Sequence, residues 1–300
     1  MLTLLIGENS FEIERQLKAI SDSFMGDVEK IDGSQLSLSQ LPDLLMGVSL
    51  FSEKRLIFIR GLSQNKAIWG DFGNWLTNIS DDIHLVLVEP KIDKRLATYK
   101  KIKEKAVIKE LQPFSEYEAG VVERWLLSEA ETMGLSLDKK SIQFLVNRIG
   151  FDQWQLFHAL EKIALTDDIS IDNLSEIIEP SQQENVFNLF ETAIKGDTNK
   201  LMQMMSSFRK SEDAYRLFGL ISSQVFQLVV ISSAGREDNI SKDFSIHPFV
   251  LSKLKPIVSQ LGSKGVYRLL DIFTSADDEI KISKADPWLL VEKALLKIAL

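Results

Sequence analysis

The 300-residue chain reads as an α/β domain built on a parallel sheet, followed by two all-α domains. Three observations predict this. Continuous apolar runs of strand length fall in the first third and alternate there with helical patterns. Such runs suit strands covered on both faces, and strand–helix alternation implies a parallel sheet flanked by helices. After Pro113 the strand signal stops, and the patterned segments that follow have helical spacing to Leu300.

The elements follow in order. Leu2–Ile6, Leu56–Ile59 and Leu85-Val86-Leu87-Val88 are the strong strand runs, with weaker ones at Val28–Ile31 and Val107–Leu111. Helical stretches lie between them near 10–24, 39–47, 64–78 and 93–105. The next helix, 115–133, carries Val121, Val122, Trp125, Leu126 and Leu127 and stops at Gly134. Helices near 138–149, 152–165 and 172–179 complete a small acidic domain that ends at Pro180 and the Ser-Gln-Gln-Glu stretch. The remainder predicts helices near 184–195, 197–209, 213–234, 247–260, 263–281 and 286–299. The expected domains are therefore 1–112, 113–180 and 181–300. No fixed-period repeat and no low-complexity tract is present.

Apolar residues make up 45% and charged residues 26%, as in ordinary globular proteins. There is no cysteine, which excludes disulfides, thiolate metal sites and a cysteine nucleophile and fits a reducing cytoplasm. The longest apolar runs fall far below the ~20 residues that span a bilayer, and the short apolar start lacks a basic leader. The net charge of −8 is unevenly spread. Residues 1–112 carry 15 basic and 16 acidic side chains, 113–180 carry 5 and 13, and 181–300 carry 15 and 14. The excess is thus in the middle third. Bulk charge is wrong for gripping nucleic acid, which leaves local contacts at either end.

Catalytic motifs are missing. Leu4-Leu5-Ile6-Gly7-Glu8-Asn9-Ser10-Phe11 is a strand, a glycine and a helix start, the place where nucleotide-binding α/β domains hold phosphate. A phosphate loop needs GxxxxGK[ST], with a lysine for the phosphates and a hydroxyl for magnesium, and the chain has no such spacing. Asn9 and Glu12 read instead as a capping box, and Glu8, Glu12 and Glu14 would repel an anion. Glu89-Pro90 after the third strong strand reads as a strand-end turn, because one carboxylate without the lysine and hydroxyl is not a metal site. His84, His158 and His247 are scattered, and HExxH, GxSxG and GxGxxG are all missing. His247 precedes a proline and reads as a helix start, His158 as a packed or half-exposed helical residue. Asp167-Asp168 and Asp277-Asp278-Glu279 read as solvated faces. No metal site and no cofactor is expected.

One apolar pair is out of pattern. Helix 39–47 ends at Met46-Gly47, where glycine fits a left-handed cap, and Val48-Ser49-Leu50-Phe51 follows before the charged Glu53-Lys54-Arg55. Leu50 and Phe51 have two readings: tucked into the core, or projecting as an apolar plug for a partner's pocket, worth about 3–6 kcal/mol if fully buried on binding.

Taken together, several segments resemble one family in order along the chain. They are Gly7-Glu8-Asn9-Ser10-Phe11, Ser49 to Leu56, Asp93-Lys94-Arg95 with Tyr99-Lys100, and Gly150-Phe151-Asp152 with Ala159 to Ile163. Val186-Phe187-Asn188-Leu189 with Ala193 to Asp197, then His247-Pro248, Asp278 to Lys281 and Asp286-Pro287, complete the series. The chain resembles the delta subunit of the bacterial DNA polymerase III clamp loader. That resemblance implies an ATPase-like domain that has lost ATP binding, a small helical lid domain and a helical collar domain for assembly. It implies a non-catalytic role in DNA replication: binding the ring-shaped sliding clamp (the beta subunit) and opening it for loading on primed DNA. The implied partners are the clamp-loader ATPase and delta-prime subunits, with DNA reached through the assembled complex and no membrane. Leu50 and Phe51, flanked by Val48 and Ser49, sit at the family's clamp-contact position. Gly47 and Val48 stand where many clamp-binding peptides carry a glutamine. Lys281 and Lys284, which follow an acidic cluster at a helix end, are the candidate DNA contacts. Two other readings stay open. One is an ATPase subunit of the same type of complex, which the missing phosphate loop opposes. The other is an unrelated α/β small-molecule binder, which predicts a pocket at the strand C-termini.

Overall fold

The computed structural model describes residues 1–47, 54–115, 118–235, 240–244, 246 and 248–300. These form two compact units, Met1–Phe114 and Ser115–Leu300.

The first unit holds strands β1 (Leu2–Ile6), β2 (Asp27–Asp32), β3 (Arg55–Arg60), β4 (Ile83–Glu89) and β5 (Val107–Glu110). They form one parallel sheet in the order β2-β3-β4-β1-β5. Helices α1 (Ser10–Asp22), α2 (Leu41–Met46), α3 (Lys66–Trp75) and α4 (Ala97–Lys105) make the crossovers. The step from β1 to β2 runs across the sheet in one direction and the later steps run in the other. Right-handed crossovers therefore put α1 on one face and α2, α3 and α4 on the opposite one. Packing follows. Leu5, Leu56, Phe58, Val86 and Val88 meet Ile13 and Leu17 of α1. Leu4, Ile57, Ile59, Leu85 and Leu87 meet Leu41, Leu45, Phe72, Tyr99 and Ile102 on the other side. The three strong runs are the interior strands, covered on both faces. The two weak ones, β2 and β5, are the half-exposed edges, which explains their diluted signal.

The second unit is helical throughout its described residues. Helices α5 (Ala119–Thr132), α6 (Lys139–Ile149), α7 (Gln153–Ile163) and α8 (Ile171–Ile177) come first. Gly134 ends the first of these with φ +76°, a left-handed geometry that favours glycine. Arg148 of α6 donates to the carbonyls of Ser175 and Ile178 and so closes the end of α8. Then come α9 (Gln182–Ile194), α10 (Thr198–Ser211), α11 (Ala214–Ser233), α12 (Ile240–Asp243), α13 (Pro248–Lys281) and α14 (Pro287–Ala299). Their core centres on Phe190, Phe218 and Phe273, with Leu217, Ile221, Leu269, Val291 and Leu295 around them. Helix α13 is broken at Gly262 (φ +63°, ψ +173°), so it is two helices, as the sequence pattern predicts. The four-residue α12 is too short for periodicity to mark. His247, the expected helix start, lies outside the described residues.

One expectation needs revision. Gly47 is not left-handed: its φ of −65° and ψ of 137° are extended. Glycine is required there because a β-carbon would come within 2.2 Å of the Asp43 carbonyl oxygen. Helix α11 is long and apolar enough to cross a membrane by length and composition alone. Its apolar residues are interspersed with Ser, Gln and Gly, so no single run is long. Leu217, Phe218, Ile221, Val225 and Leu228 of this helix pack in the unit's core.

Candidate functional site

The two ends of the sheet are built differently. At the N-terminal end of β3 the chain leaves α2 at Gly47 and re-enters the sheet at Arg55. Helix α2 is seated by Leu41, Leu44 and Leu45, all buried, and the Leu45 carbonyl accepts from the Ser80 amide at 2.9 Å. Arg55 joins both flanks of the intervening stretch. Its Nε and Nη2 donate to Glu29 Oε1 of β2 at 2.9 and 2.7 Å, and its Nη1 donates to the Gly47 carbonyl at 2.8 Å. The same Nη1 lies 3.4 Å from the carbonyls of Asp43 and Leu44, so it also occupies the open end of α2. The Arg55 amide donates to Asp82 at 2.9 Å and the Asp27 amide to Lys54. The Arg55 side chain is 13% exposed. It is a fixed corner rather than a surface charge. Val48, Ser49, Leu50 and Phe51, the four candidate clamp-contact residues, lie outside the described residues, between these two fixed flanks.

At the C-terminal end of the strands a cleft of about 630 Å³ opens beside α1. Its floor is apolar, with Ile13, Ile31, Phe58 and Val88, and its rim carries Glu14, Lys30, Asp32 and Arg60. This is the edge where a small-molecule binder would hold its ligand. Several of the polar groups around it are tied within the unit. Arg60 pairs with Glu14 at 2.6 Å. Asp32 accepts from the Ser34 hydroxyl and amide, which hold its carboxyl below the usual range. Asn9 Oδ1 accepts from the Glu12 amide at 3.0 Å, which is the N-cap half of the expected capping box. Asn9 Nδ2 donates to Gln112, and its backbone amide donates to Leu111. Gly7, at φ +143°, lets Leu111 pass so closely that a β-carbon would sit 1.8 Å from its carbonyl oxygen. Only Gly7, Glu8 and Asn9 separate β1 from α1, so the connection lies flat against residues 111–112.

Glu89 is fully buried. Its carboxylate accepts from the Ser63 hydroxyl at 2.5 Å and from the Ser63 amide at 3.1 and 3.2 Å. Burial pushes its pKa above the ordinary carboxylate value, opposed by hydrogen bonds from Ser63 and the Leu62 amide. It is an internal tie between β4 and the turn after β3, more than the strand-end turn read from sequence. The alignment of a serine with a strand-end glutamate across neighbouring strands is a register property that one-dimensional patterns do not carry. Among the described residues, no group of three or more His, Asp or Glu could hold a metal ion.

The remaining candidates are local. Lys281 pairs with Asp277 at 2.5 Å and Lys284 with Glu279 at 2.9 Å. Glu279 also takes Lys293 of α14 at 2.8 Å, and these two lysines hold its carboxyl down at about 2. The acidic cluster thus ties α13 to α14, and neither candidate DNA-contact lysine is free of a carboxylate. His158 is exposed and bonds Glu161 at 2.7 Å. Asp168 accepts from the Ser170 amide in a turn. His84 shares a hydrogen bond with Thr3, and burial lowers its pKa.

The comparisons with known proteins agree with one another. A family model described as DNA polymerase III, delta subunit, matches residues 3–112. A second, described as the DNA polymerase III delta subunit, C-terminal domain, matches residues 183–298. The DNA polymerase III subunit delta of Bacillus subtilis (strain 168) is 24% identical over 226 residues, or 71% of this chain. That match spans 64% of the relative's length, just under two thirds. A solved structure of the Bacillus subtilis DNA clamp loader delta protein superposes with a TM-score of 0.60 at 17% identity. It covers 99% of this chain and 95% of that one.

Proposed function

The chain belongs to the DNA polymerase III delta-subunit family, and we propose that it is the clamp-loader subunit that binds the sliding clamp and opens the ring. The observation that carries this reading is the Arg55 corner. It fixes Gly47 and β3 to each other through Glu29 and the end of α2, and the stretch it brackets contains Leu50 and Phe51. A short apolar pair held on rigid flanks gives up less ordering entropy on binding than one on a free tether. Leu50 and Phe51 are the anchor, with Val48 and Ser49 beside them.

Magnitudes constrain how such a subunit works. A ring closed by nanomolar interfaces is stabilised by about 12 kcal/mol at each. A Leu-Phe anchor worth about 3–6 kcal/mol cannot break that interface by affinity alone. It opens the ring only by binding the open form better than the closed one, with strain in the ring supplying the remainder. The protein has no catalytic step in this account: nucleotide chemistry belongs to the ATPase subunits, which control when the anchor is available. The helical lid (113–180) and collar (181–300) then connect it to those subunits and to delta-prime.

The test is a titration of the full chain against the sliding clamp of the same organism, together with release of clamp from nicked circular DNA. Tight binding with release in the absence of ATP is expected. Failure to bind the clamp overturns the reading. Saturable ATP binding to the cleft at the strand C-termini would replace it with an ATPase subunit.

A further inference from the structure

The chain has seven methionines and no cysteine. Four of the methionines are exposed: Met1, Met25, Met46 and Met202. Three of these four lie at one place in the fold, the N-terminal edge of the sheet. Met1 precedes β1, Met25 precedes β2, and Met46 ends α2 before β3. Met25 is 92% exposed and Met46 48%. A lone apolar side chain on a surface is ordinary, so the argument rests on where Met25 and Met46 stand. Each follows a side chain that is seated in a core. Phe24 packs against the core on the α1 face of the sheet, and Met25, next in the chain, stands outside it. Leu44 and Leu45 are buried on the α2 face, and Met46 stands outside that core. The two methionines therefore reach the start of β3 from opposite faces of the sheet. The Asp27 amide, two residues beyond Met25, donates to the Lys54 carbonyl at 3.3 Å, and Asp27 is in register with Arg55. Gly47, next to Met46, is held by Arg55 Nη1 at 2.8 Å. Gly47 and Lys54 are also the two points that the stretch containing Leu50 and Phe51 connects.

We propose that Met25 and Met46 are flanking contacts of the clamp anchor, two apolar side chains that lie against the clamp on either side of the pocket that takes Leu50 and Phe51. The inference rests on the clamp reading above and adds the chemistry of the surround: apolar, adaptable and without a polar match. Methionine suits that task. Its unbranched thioether chain turns at three bonds and moulds to a surface of irregular shape. A partner that changes shape as it opens needs such a surround, because a rigid one would fit only one of its forms. A small ligand is not the occupant. The large cleft of this unit lies at the other end of the strands, whereas the two methionines stand outward on opposite sides of β3.

The full chain and three double variants are measured for association and dissociation on the immobilised sliding clamp of the same organism. Met25→Ala/Met46→Ala should bind about three- to tenfold more weakly, with most of the change in the dissociation rate. Met25→Leu/Met46→Leu, apolar and of similar volume, should stay within about twofold of wild type. Met25→Gln/Met46→Gln, of similar length but polar, should lose as much as the alanine variant. No charge changes, so the losses should be the same at low and high salt. Neither side chain lies in a core, so all three should melt with the wild type. The proposal is overturned if the alanine variant binds as tightly as wild type. It is also overturned by a leucine variant as weak as the alanine one, or by a glutamine variant as tight as wild type. The clamp reading is scored separately by the wild type and by Leu50→Ala/Phe51→Ala. A wild type that does not bind the clamp brings down both ideas. A wild type that binds, an anchor variant that does not, and methionine variants that match wild type bring down this one alone.

Discussion

The two edges of the α/β sheet differ in where their polar groups go. At the strand C-termini, the usual ligand edge of parallel sheets, the chain spends several of them on itself. Asn9 caps α1 and is bound to residues 111–112, Glu89 is satisfied by Ser63, and Arg60 is paired with Glu14. At the N-terminal edge, Arg55 ties together Gly47 and β3, the flanks of the stretch whose sequence contains Leu50 and Phe51. On the proposed reading, a sheet architecture keeps its shape while its working edge moves. Where a phosphate would sit, the connection is closed down to three residues; at the opposite edge, Gly47 and β3 are tied together through Arg55.

That contrast can be broken from either side, and the larger effect is expected at the braced edge. Arg55→Ala removes a charge-assisted pair and the hydrogen bond to the Gly47 carbonyl. It should cost about 1–2 kcal/mol of stability, less than a fully buried pair because Glu29 is 39% exposed. Clamp affinity should fall severalfold in the folded protein, because the flanks of the anchor are released. Arg55→Lys should recover part of the stability and little of the bidentate geometry. A folded Arg55→Ala protein that binds the clamp as tightly as wild type would remove the brace from the account.

A smaller effect belongs to the closed edge. Glu89 has a folded pKa raised by burial above its unfolded value of 4.5. The folded state therefore holds a proton that the unfolded state has released, and stability falls as pH rises from about 4.5 through the raised value. Glu89→Gln should flatten denaturation midpoints over that window and leave clamp affinity untouched. A change in clamp affinity would mean that the two edges are coupled.

Much of the fold was legible in the sequence, and the reason is local. Interior strands such as β1 and β4 are apolar on both faces, so every residue adds to the signal. The helix starts expected at 138, 152 and 286 carry Asp138, Asp152 and Asp286 as N-caps in the structure, each accepting from an amide three residues on. What escaped depends on distance in the chain. Arg55 and Glu29 are 26 residues apart, and nothing in either neighbourhood announces their pairing. The Ser63–Glu89 tie spans another 26. The extended geometry of Gly47 was missed because a helix-end glycine is more often left-handed; here the neighbouring Asp43 carbonyl, not the backbone angle, demands it. The Leu50-Phe51 pair was legible only as an apolar pair out of pattern, joined to a family resemblance.

The central claim is that Leu50 and Phe51 are the clamp anchor. It is tested most directly by one variant, Leu50→Ala/Phe51→Ala, measured for clamp affinity and for thermal unfolding in the same buffer. Aromatic and aliphatic anchors commonly cost about 2 kcal/mol or more when truncated. Affinity should therefore drop by at least about tenfold to thirtyfold, with the melting transition close to wild type. The core reading of the same pair forecasts the reverse, a loss of several kcal/mol of stability as in other core truncations. A destabilised variant whose folded fraction binds the clamp with undiminished affinity would contradict the account.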